Sequence, residues 1–352
     1  MSALPSHRPD RGQAMDAFLG RIGWHGAVRS MLAGDASFRR YERVAFKDTI
    51  AVLMDAPPPW EDVRPFVAVT ELLARCNVTV PEILARDEAE GFLLLQDLGD
   101  QSFTRLLRAD PARERELYMA ATEALIAIYR ASLADSGALS AALKPYDNAV
   151  YLREAALLAD WFLPQVHGLA KAATLRAEYL AIWQTILEGA DLQSNCLVHR
   201  DYHADNLFWL EGRAGHRAVG MIDYQDALWG DPAYDLASLL EDARRDVADT
   251  TMADCFAKFV TDIGESAPVF AKRFSVIAAQ RNAKIIGIFT RLCVRDGKAH
   301  YLDYLPRVWR HFTHDLTHPS LAPMRDFMER NVPQQWRGSF NANPDIGSLA
   351  TP

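Results

Sequence analysis

The chain has 352 residues, with 46 Asp and Glu against 38 Lys and Arg, and so a formal net charge of −8. Apolar residues make up 49% and charged residues 24%, which excludes a disordered chain, a collagen-like repeat and a disulfide miniprotein. The length exceeds one small core, so two lobes are expected, and the acidity argues against a nucleic-acid binder, which needs a basic stripe. A small phosphorylated ligand stays open, because a few local cations or a metal suffice for it.

Cys76, Cys196, Cys255 and Cys293 are widely spaced and lack a CxxC pattern, so reduced thiols are expected rather than zinc or disulfides. The N-terminal segment MSALPSHRPDRGQAMDAF has no apolar signal-peptide core, and no window reaches the length of a bilayer span. These features lead to the expectation of a cytoplasmic protein with no membrane partner.

Taken in chain order, residues 1 to about 13 read as a loose arm, and Gln13 to Ile22 as a short helix. The first strand signal is Phe38 to Phe46 (FRRYERVAF), followed by a Lys47-Asp48 turn and the apolar strand Thr49 to Met54. Asp55-Ala56-Pro57-Pro58-Pro59 breaks that strand, and Pro65 opens a helix spanning about Glu61 to Arg75. Strands follow near Glu82 to Ala85 and Phe92 to Gln96. From residue 101 helical spacing takes over. A helix capped by Asp110-Pro111 runs to about Ala134, and others cover Asn148 to Phe162, Thr174 to Gly189 and Pro268 to about Cys293. A β interruption covers Cys196 to His199, Leu207 to Leu210 and Val219 to Ile222. The fold class expected is α+β and bilobal: a β-rich N-lobe over residues 1–99, a mainly helical C-lobe over 100–337, and a disordered tail over 338–352.

The densest polar segment lies between two apolar strands: Leu197-Val198-His199-Arg200-Asp201-Tyr202-His203-Ala204-Asp205-Asn206-Leu207-Phe208-Trp209. Such a loop is costly for stability, and loops of this kind carry function. Its H-R-D-x4-N spacing is that of a kinase catalytic loop. Asp201 would orient the hydroxyl proton of a substrate, and Asn206 would offer an amide oxygen to Mg²⁺. Seventeen residues beyond Asn206, Asp223 stands at the end of another apolar strand (Met221-Ile222-Asp223-Tyr224-Gln225-Asp226), suited to a hard cation that keeps phosphates and water in its other positions. His199 and His203 lie four apart, but on a strand end and loop rather than on a helix, which argues against zinc.

The HRDYHADN loop, the IDYQD segment and Gly230-Asp231-Pro232-Ala233-Tyr234-Asp235-Leu236 together resemble the aminoglycoside phosphotransferase family, the small-molecule branch of the protein-kinase-like fold. The combination of GDASFRRYERV, MDAPP, VHRDYHADNLFWL and IDYQDALWGDPAYDLASLLEDARRDV looks most similar to the anomeric N-acetylmuramate and N-acetylglucosamine kinases of cell-wall recycling. The resemblance implies ATP and Mg²⁺ as cofactors and a small amino sugar as partner. It implies Asp201 as catalytic base, Asn206 and Asp223 as metal ligands, and Gln96, Asp97 and Leu98 as an adenine hinge. It also implies Glu71 in the place of the N-lobe helix glutamate, and Asp235 in support of the loop; His199 is expected to be a buried orienting group rather than an acid or base. His203, Asp242 and Arg244 are substrate-contact candidates.

Two departures stand out. The residue after the loop histidine is often Gly in the family and here is Arg200. Met54 stands near the expected strand-lysine position, and the Gly-rich loop is reduced to Gly34-Asp35-Ala36-Ser37. A cation from FRRYERV is expected to compensate, with Arg43 the first choice. Other acceptors (an aminoglycoside, choline or homoserine) and a nucleotide-binding pseudokinase are the alternative readings.

Overall fold

The computed structural model describes residues 11–34 and 38–338. Asp35-Ala36-Ser37 of the shortened Gly-rich segment, the start of the N-terminal arm and the tail from residue 339 lie outside the described residues.

The N-lobe is a five-stranded antiparallel sheet with one helix on each face. Helix α1 (Arg11–Arg21) precedes β1 (Val28–Gly34), β2 (Arg40–Phe46) and β3 (Thr49–Asp55). Helix α2 (Arg64–Arg75) follows, then β4 (Ile83–Asp87) and β5 (Phe92–Gln96), in the spatial order β1-β2-β3-β5-β4. Alternation along the strands explains the layering. Val44, Ala51, Leu53, Phe92 and Leu94 turn to the outer face, where Met15, Phe18 and Leu19 of α1 cover them. Met54, Leu93 and Leu95 turn inward, into a core continuous with α2 and the C-lobe. Buried Asp55 pins α1 to the sheet by accepting hydrogen bonds from Arg11 and, at 2.6 Å, from Arg40.

Strand β1 escapes the sequence pattern because it is an edge strand with Val28, Met31 and Leu32 exposed, so no buried alternation marks it. Helix α2 begins at Arg64 rather than Glu61, with Pro65 in its first turn.

The chain leaves the sheet at Gln96 and enters α3 (Phe103–Ala109). The C-lobe continues with α4 (Glu114–Ala134), α5 (Ser136–Ala142), α6 (Asn148–Leu157), α7 (Leu163–His167) and α8 (Leu169–Glu188). The helix expected over 148–162 is interrupted: a π turn over Leu158–Phe162 separates α6 from α7. Gly287 of a later helix packs against this break, where a Cβ would lie 2.2 Å from the Leu157 carbonyl carbon. Next come β6 (Cys196–Val198), β7 (Leu207–Trp209), β8 (Val219–Met221) and β9 (Leu228–Gly230). Strands β7 and β8 form a hairpin, and β6 pairs with β9, a three-residue strand too short to register as a pattern. Helices α9 (Ala233–Leu240), α10 (Asp249–Ile263), α11 (Ala267–Val294), α12 (Leu305–Asp315) and α13 (Ala322–Asn331) complete the lobe. No helix among the described residues is long and apolar enough to cross a membrane.

The lobes are tied at the back. The Met221 N–H donates to the Thr79 carbonyl at 3.0 Å, Arg213 donates to Thr79 Oγ1 at 2.9 Å, and Thr70 Oγ1 meets Tyr224 Oη at 2.8 Å. At the front they leave a cleft.

Candidate active site

A cavity of about 320 Å³ occupies the cleft. Its roof is Leu32, Tyr41 and Val52, its back wall Phe66, Pro81 and Leu95, its floor Phe208 and Ile222. Gln96, Asp97, Leu98 and Gly99 form one side, and Asn206 and Asp223 lie at the floor. The walls are mostly apolar, with polar groups confined to the linker and the floor, the pattern of a small-molecule site.

The linker is rigid. Asp97 folds back to accept the Gly99 N–H at 2.8 Å, and Gly99 takes a left-handed conformation, φ 81°, that closes the turn. Arg43 braces Asp97 (Nε to Oδ2, 2.6 Å) and Asp100 (2.9 Å) together. These two carboxylates push the Arg43 guanidinium further above its already high range. The N–H and C=O of Leu98 have no protein partner among the described residues. Arg43 therefore sits at the linker end of the cleft, engaged by two carboxylates, and not beside the two floor residues. This differs from its expected place as a phosphate cation.

The floor is built by the loop between β6 and β7. Arg200 takes φ 77°, a conformation uncommon for a residue with a Cβ. The loop is held there by Asp235 in the first turn of α9, whose carboxylate accepts the His199 N–H at 2.6 Å and the Arg200 N–H at 2.9 Å. Burial pushes the Asp235 carboxyl up to about 7, although these two N–H donors pull the other way. His199 is fully buried, edge-on to Tyr202 and Tyr224. Burial lowers its imidazole to about 4, so the ring is neutral.

Asp201 is exposed at the loop that carries Asn206. Crowding by the protein opposes its ionisation, but nearby positive charge, Lys284 foremost, outweighs this and holds the carboxyl below its ordinary range. Asn206 donates from Nδ2 to the Asp201 carbonyl at 3.0 Å. That bond turns Oδ1, which accepts no hydrogen bond among the described residues, toward other uses. Asp223, at φ 65°, swings its carboxylate away from the strand line, with Gln225 Nε2 donating to Oδ1 at 2.9 Å. One amide oxygen and one carboxylate at the same cleft floor fit a magnesium ion that takes its other oxygens from phosphates and water.

Among the remaining residues singled out from sequence, the structure brings some to the loop and leaves others away. His203 is buried, and its Nε2 lies 3.4 Å from both Asn206 Nδ2 and Arg244 Nη1. Two donors facing one nitrogen make it the acceptor, with burial favouring the neutral ring. Arg244 is partly exposed and pairs with Asp205 at 3.3 Å. Asp242 is buried and accepts the N–H groups of Arg244 (2.9 Å) and Ala204 (3.3 Å), so it braces the loop from behind rather than facing the cleft. Glu71 is 67% exposed on the far face of α2 and lies 3.7 Å from Arg86. The cleft-facing residue of α2 is Phe66, packed on Tyr224 at 4.9 Å, and so Glu71 is not brought to the site.

Sequence reading missed one cluster. Lys284 of α11 donates to Glu154 of α6 at 3.1 Å and to Tyr234 Oη at 3.1 Å, while Arg200 pairs with the same Glu154. Tyr146 donates to Glu154 Oε2 at 2.5 Å and lies under the Arg200 guanidinium. The only signal in the sequence was Arg200 in a position often occupied by Gly. Glu154 and Lys284 are 130 residues apart and carry no local motif.

The fold and this loop define a phosphotransferase of the protein-kinase-like class. Residues 30–262 match the phosphotransferase enzyme family, and the chain belongs to it. N-acetylmuramate/N-acetylglucosamine kinases of Caulobacter vibrioides (33% identity, 93% of this chain and 98% of that one) and Pseudomonas aeruginosa (38%, 86% and 88%) are similar along most of the length. Among solved structures, the chain resembles a choline/ethanolamine kinase family protein from Mesorhizobium loti (15% identity, TM-score 0.58, 91% of this chain and 99% of that one). It also resembles aminoglycoside 2'-phosphotransferase-IIIa in its GDP complex (14%, 0.60, 88% and 100%). At those identities the structural likeness speaks to the fold.

Proposed function

We propose that this enzyme uses MgATP to phosphorylate the anomeric hydroxyl of N-acetylmuramate, N-acetylglucosamine or both. The observation that carries the reading is the pairing of Asn206 and Asp223 at the floor of one cleft with an open-edged linker at its side, Asn206 being hydrogen-bonded to the backbone of Asp201.

In this reading the adenine edge meets the Leu98 backbone between the apolar roof and floor. Asn206 and Asp223 would hold Mg²⁺, which offsets phosphate charge. Asp201 orients the C1 hydroxyl so that its oxygen attacks the γ-phosphorus as the bond to the ADP oxygen breaks, and the hydroxyl proton passes toward the carboxylate. An anomeric hydroxyl is more acidic than an alkyl alcohol, which suits a base whose carboxyl is held below its ordinary range. Positioning and fixed charge supply most of the acceleration.

The charges around Asp201 support a neutral or anionic sugar over a polycationic aminoglycoside. Glu154 is taken up by Arg200 and Lys284, Asp205 by Arg244 and Thr104, and Asp242 by backbone N–H groups. Few carboxylates are left to receive an amino-rich substrate. The test is phosphorus NMR of the enzyme with ATP, Mg²⁺ and a panel of N-acetylmuramate, N-acetylglucosamine and aminoglycosides. A product phosphate labile to mild acid marks C1. An acid-stable ester, or turnover with aminoglycosides alone, sinks the reading.

A further inference from the structure

Met54 leaves the nucleotide site without the strand lysine of kinases, and the three arginines of FRRYERV have now been placed by their partners. Arg40 points to the outer face of the sheet and is engaged by Asp55, to which Arg11 of α1 also binds. Arg43 is clamped at the linker by Asp97 and Asp100. Arg39 directly precedes β2, and carrying the strand's alternation back by one residue puts it on the same side as Tyr41 and Arg43. Tyr41 lines the cavity and stands opposite Met54 in the register of β2 with β3.

Direction along the cleft follows from the same register. Arg43 marks the linker end, opposite Val52, and the path Arg43, Tyr41, Arg39 runs away from the linker along the roof. Four residues of extended chain cover about 13 Å. That places the Arg39 backbone beyond the position of the absent lysine, over the part of the cleft that a nucleotide anchored at the linker reaches with its phosphates. Arg39 is mostly shielded, with its side chain 14% exposed, and Nε lies 3.6 Å from Oε2 of Glu61, itself 18% exposed. The other oxygen of Glu61 accepts the Phe38 N–H at 3.1 Å, which fixes the carboxylate against the start of the strand. Glu61 precedes α2, so a carboxylate before the helix stands in for one within it.

We propose that Arg39, oriented by Glu61, is the cation that receives the ATP phosphates in this chain, so that the lysine–glutamate pair of kinases is rebuilt one strand over as an arginine–glutamate pair. Arginine suits the role because its planar fork donates to two phosphate oxygens at once.

The inference rests on the nucleotide reading of the cleft, and the experiment separates the two. Binding of MgATP and of adenosine to the full chain is measured by calorimetry for wild type, Arg39→Ala, Arg39→Lys, Glu61→Gln and Arg43→Ala, with thermal melts to verify folding. Arg39→Ala is expected to weaken MgATP by about 10- to 100-fold, the loss of a charge-assisted contact, and to change adenosine less than about two-fold. Arg39→Lys should recover part of the MgATP affinity, Glu61→Gln should lose part of it, and Arg43→Ala should weaken both ligands alike. If Arg39→Ala affects ATP and adenosine equally, or neither, the assignment is overturned while the kinase reading stands. If the wild type binds neither ligand, the kinase reading itself falls. Should the alanine variant not fold, Arg39→Gln, which keeps most of the side-chain stem, takes its place under the same criteria.

Discussion

Asp201 is exposed, and the positive charge of Lys284 and Arg200 near it sets its chemistry. A carboxyl held below its ordinary range stays ionised across the neutral region, so loss of activity toward pH 6 is not its titration. Asp201→Asn keeps shape and hydrogen-bonding size but not basicity. We expect kcat to fall by about 10²- to 10⁴-fold with MgATP affinity within about two-fold of wild type, read by steady-state kinetics and calorimetry. His199 makes a second residue-scale case. Its imidazole is lowered to about 4 in the folded chain against an ordinary 6.5. The unfolded chain therefore takes up the proton first, and the stability held above pH 6.5 is lost as pH falls toward 4, by about 3 kcal/mol at about 1.4 kcal/mol per pH unit. Asp235, raised to about 7, works in the opposite sense: its contribution is greatest below about pH 4 and fades as pH rises through 7. Urea melts across this range should show a shallower acid decline in His199→Asn. An unchanged slope would mean that the ring is not the titrating group.

At the scale of elements, the loop between β6 and β7 is held from outside itself. Asp235 comes from α9, Glu154 from α6, Lys284 from α11, and Asp242 from the segment after α9. The packing of α6 against α11 therefore bears on the loop, and it depends on the π turn at Leu158–Phe162 and on Gly287. A methyl group at 287 meets Leu157 backbone that cannot swing away as a flexible side chain would. Gly287→Ala is expected to lower stability by about 1–3 kcal/mol, the range for forced overpacking, and to reduce kcat more than MgATP affinity, because Lys284 and Glu154 shift with the helices. Equal stability in denaturant melts would show that the helices give way freely. Helix α2 offers the contrast: its inward face is Phe66 and Thr70, so it supports the cleft by packing on Tyr224 rather than by charge.

For the whole molecule, the two lobes share one apolar core at the back and separate at the cleft, so a ligand spanning linker and floor binds only the folded, assembled pair. Such a ligand at 100 times its dissociation constant adds about 2.7 kcal/mol to folding by mass action. We expect MgATP to raise the melting temperature of the wild type. ATP without Mg²⁺ should do so less, and on the proposed reading the gap between the two should vanish in Asp223→Ala, which removes the carboxylate assigned to the cation. A gap that persists in that variant would remove Asp223 from the metal site.

How much of this was legible from the chain follows from how local each feature is. Asp201, Asn206 and Asp223 sit in short segments bounded by apolar strands, and the β-rich start and helical remainder follow from periodicities of two and 3.6 residues. Those are properties of neighbours in sequence, and a reading of residues alone reaches them. The direction in which Arg40 and Arg43 point depended on strand register and on Asp55, Asp97 and Asp100, residues 15 to 57 positions away, and that of Arg39 on Glu61. Glu71 and Asp242 carried the right residue type in the right neighbourhood, yet the rotation of α2 and the burial of the segment after α9 turned them from the cleft. The cluster of Glu154, Arg200 and Lys284 left almost no trace in the chain. Long-range ion pairs are chosen by which helices meet, and only the packed fold specifies that.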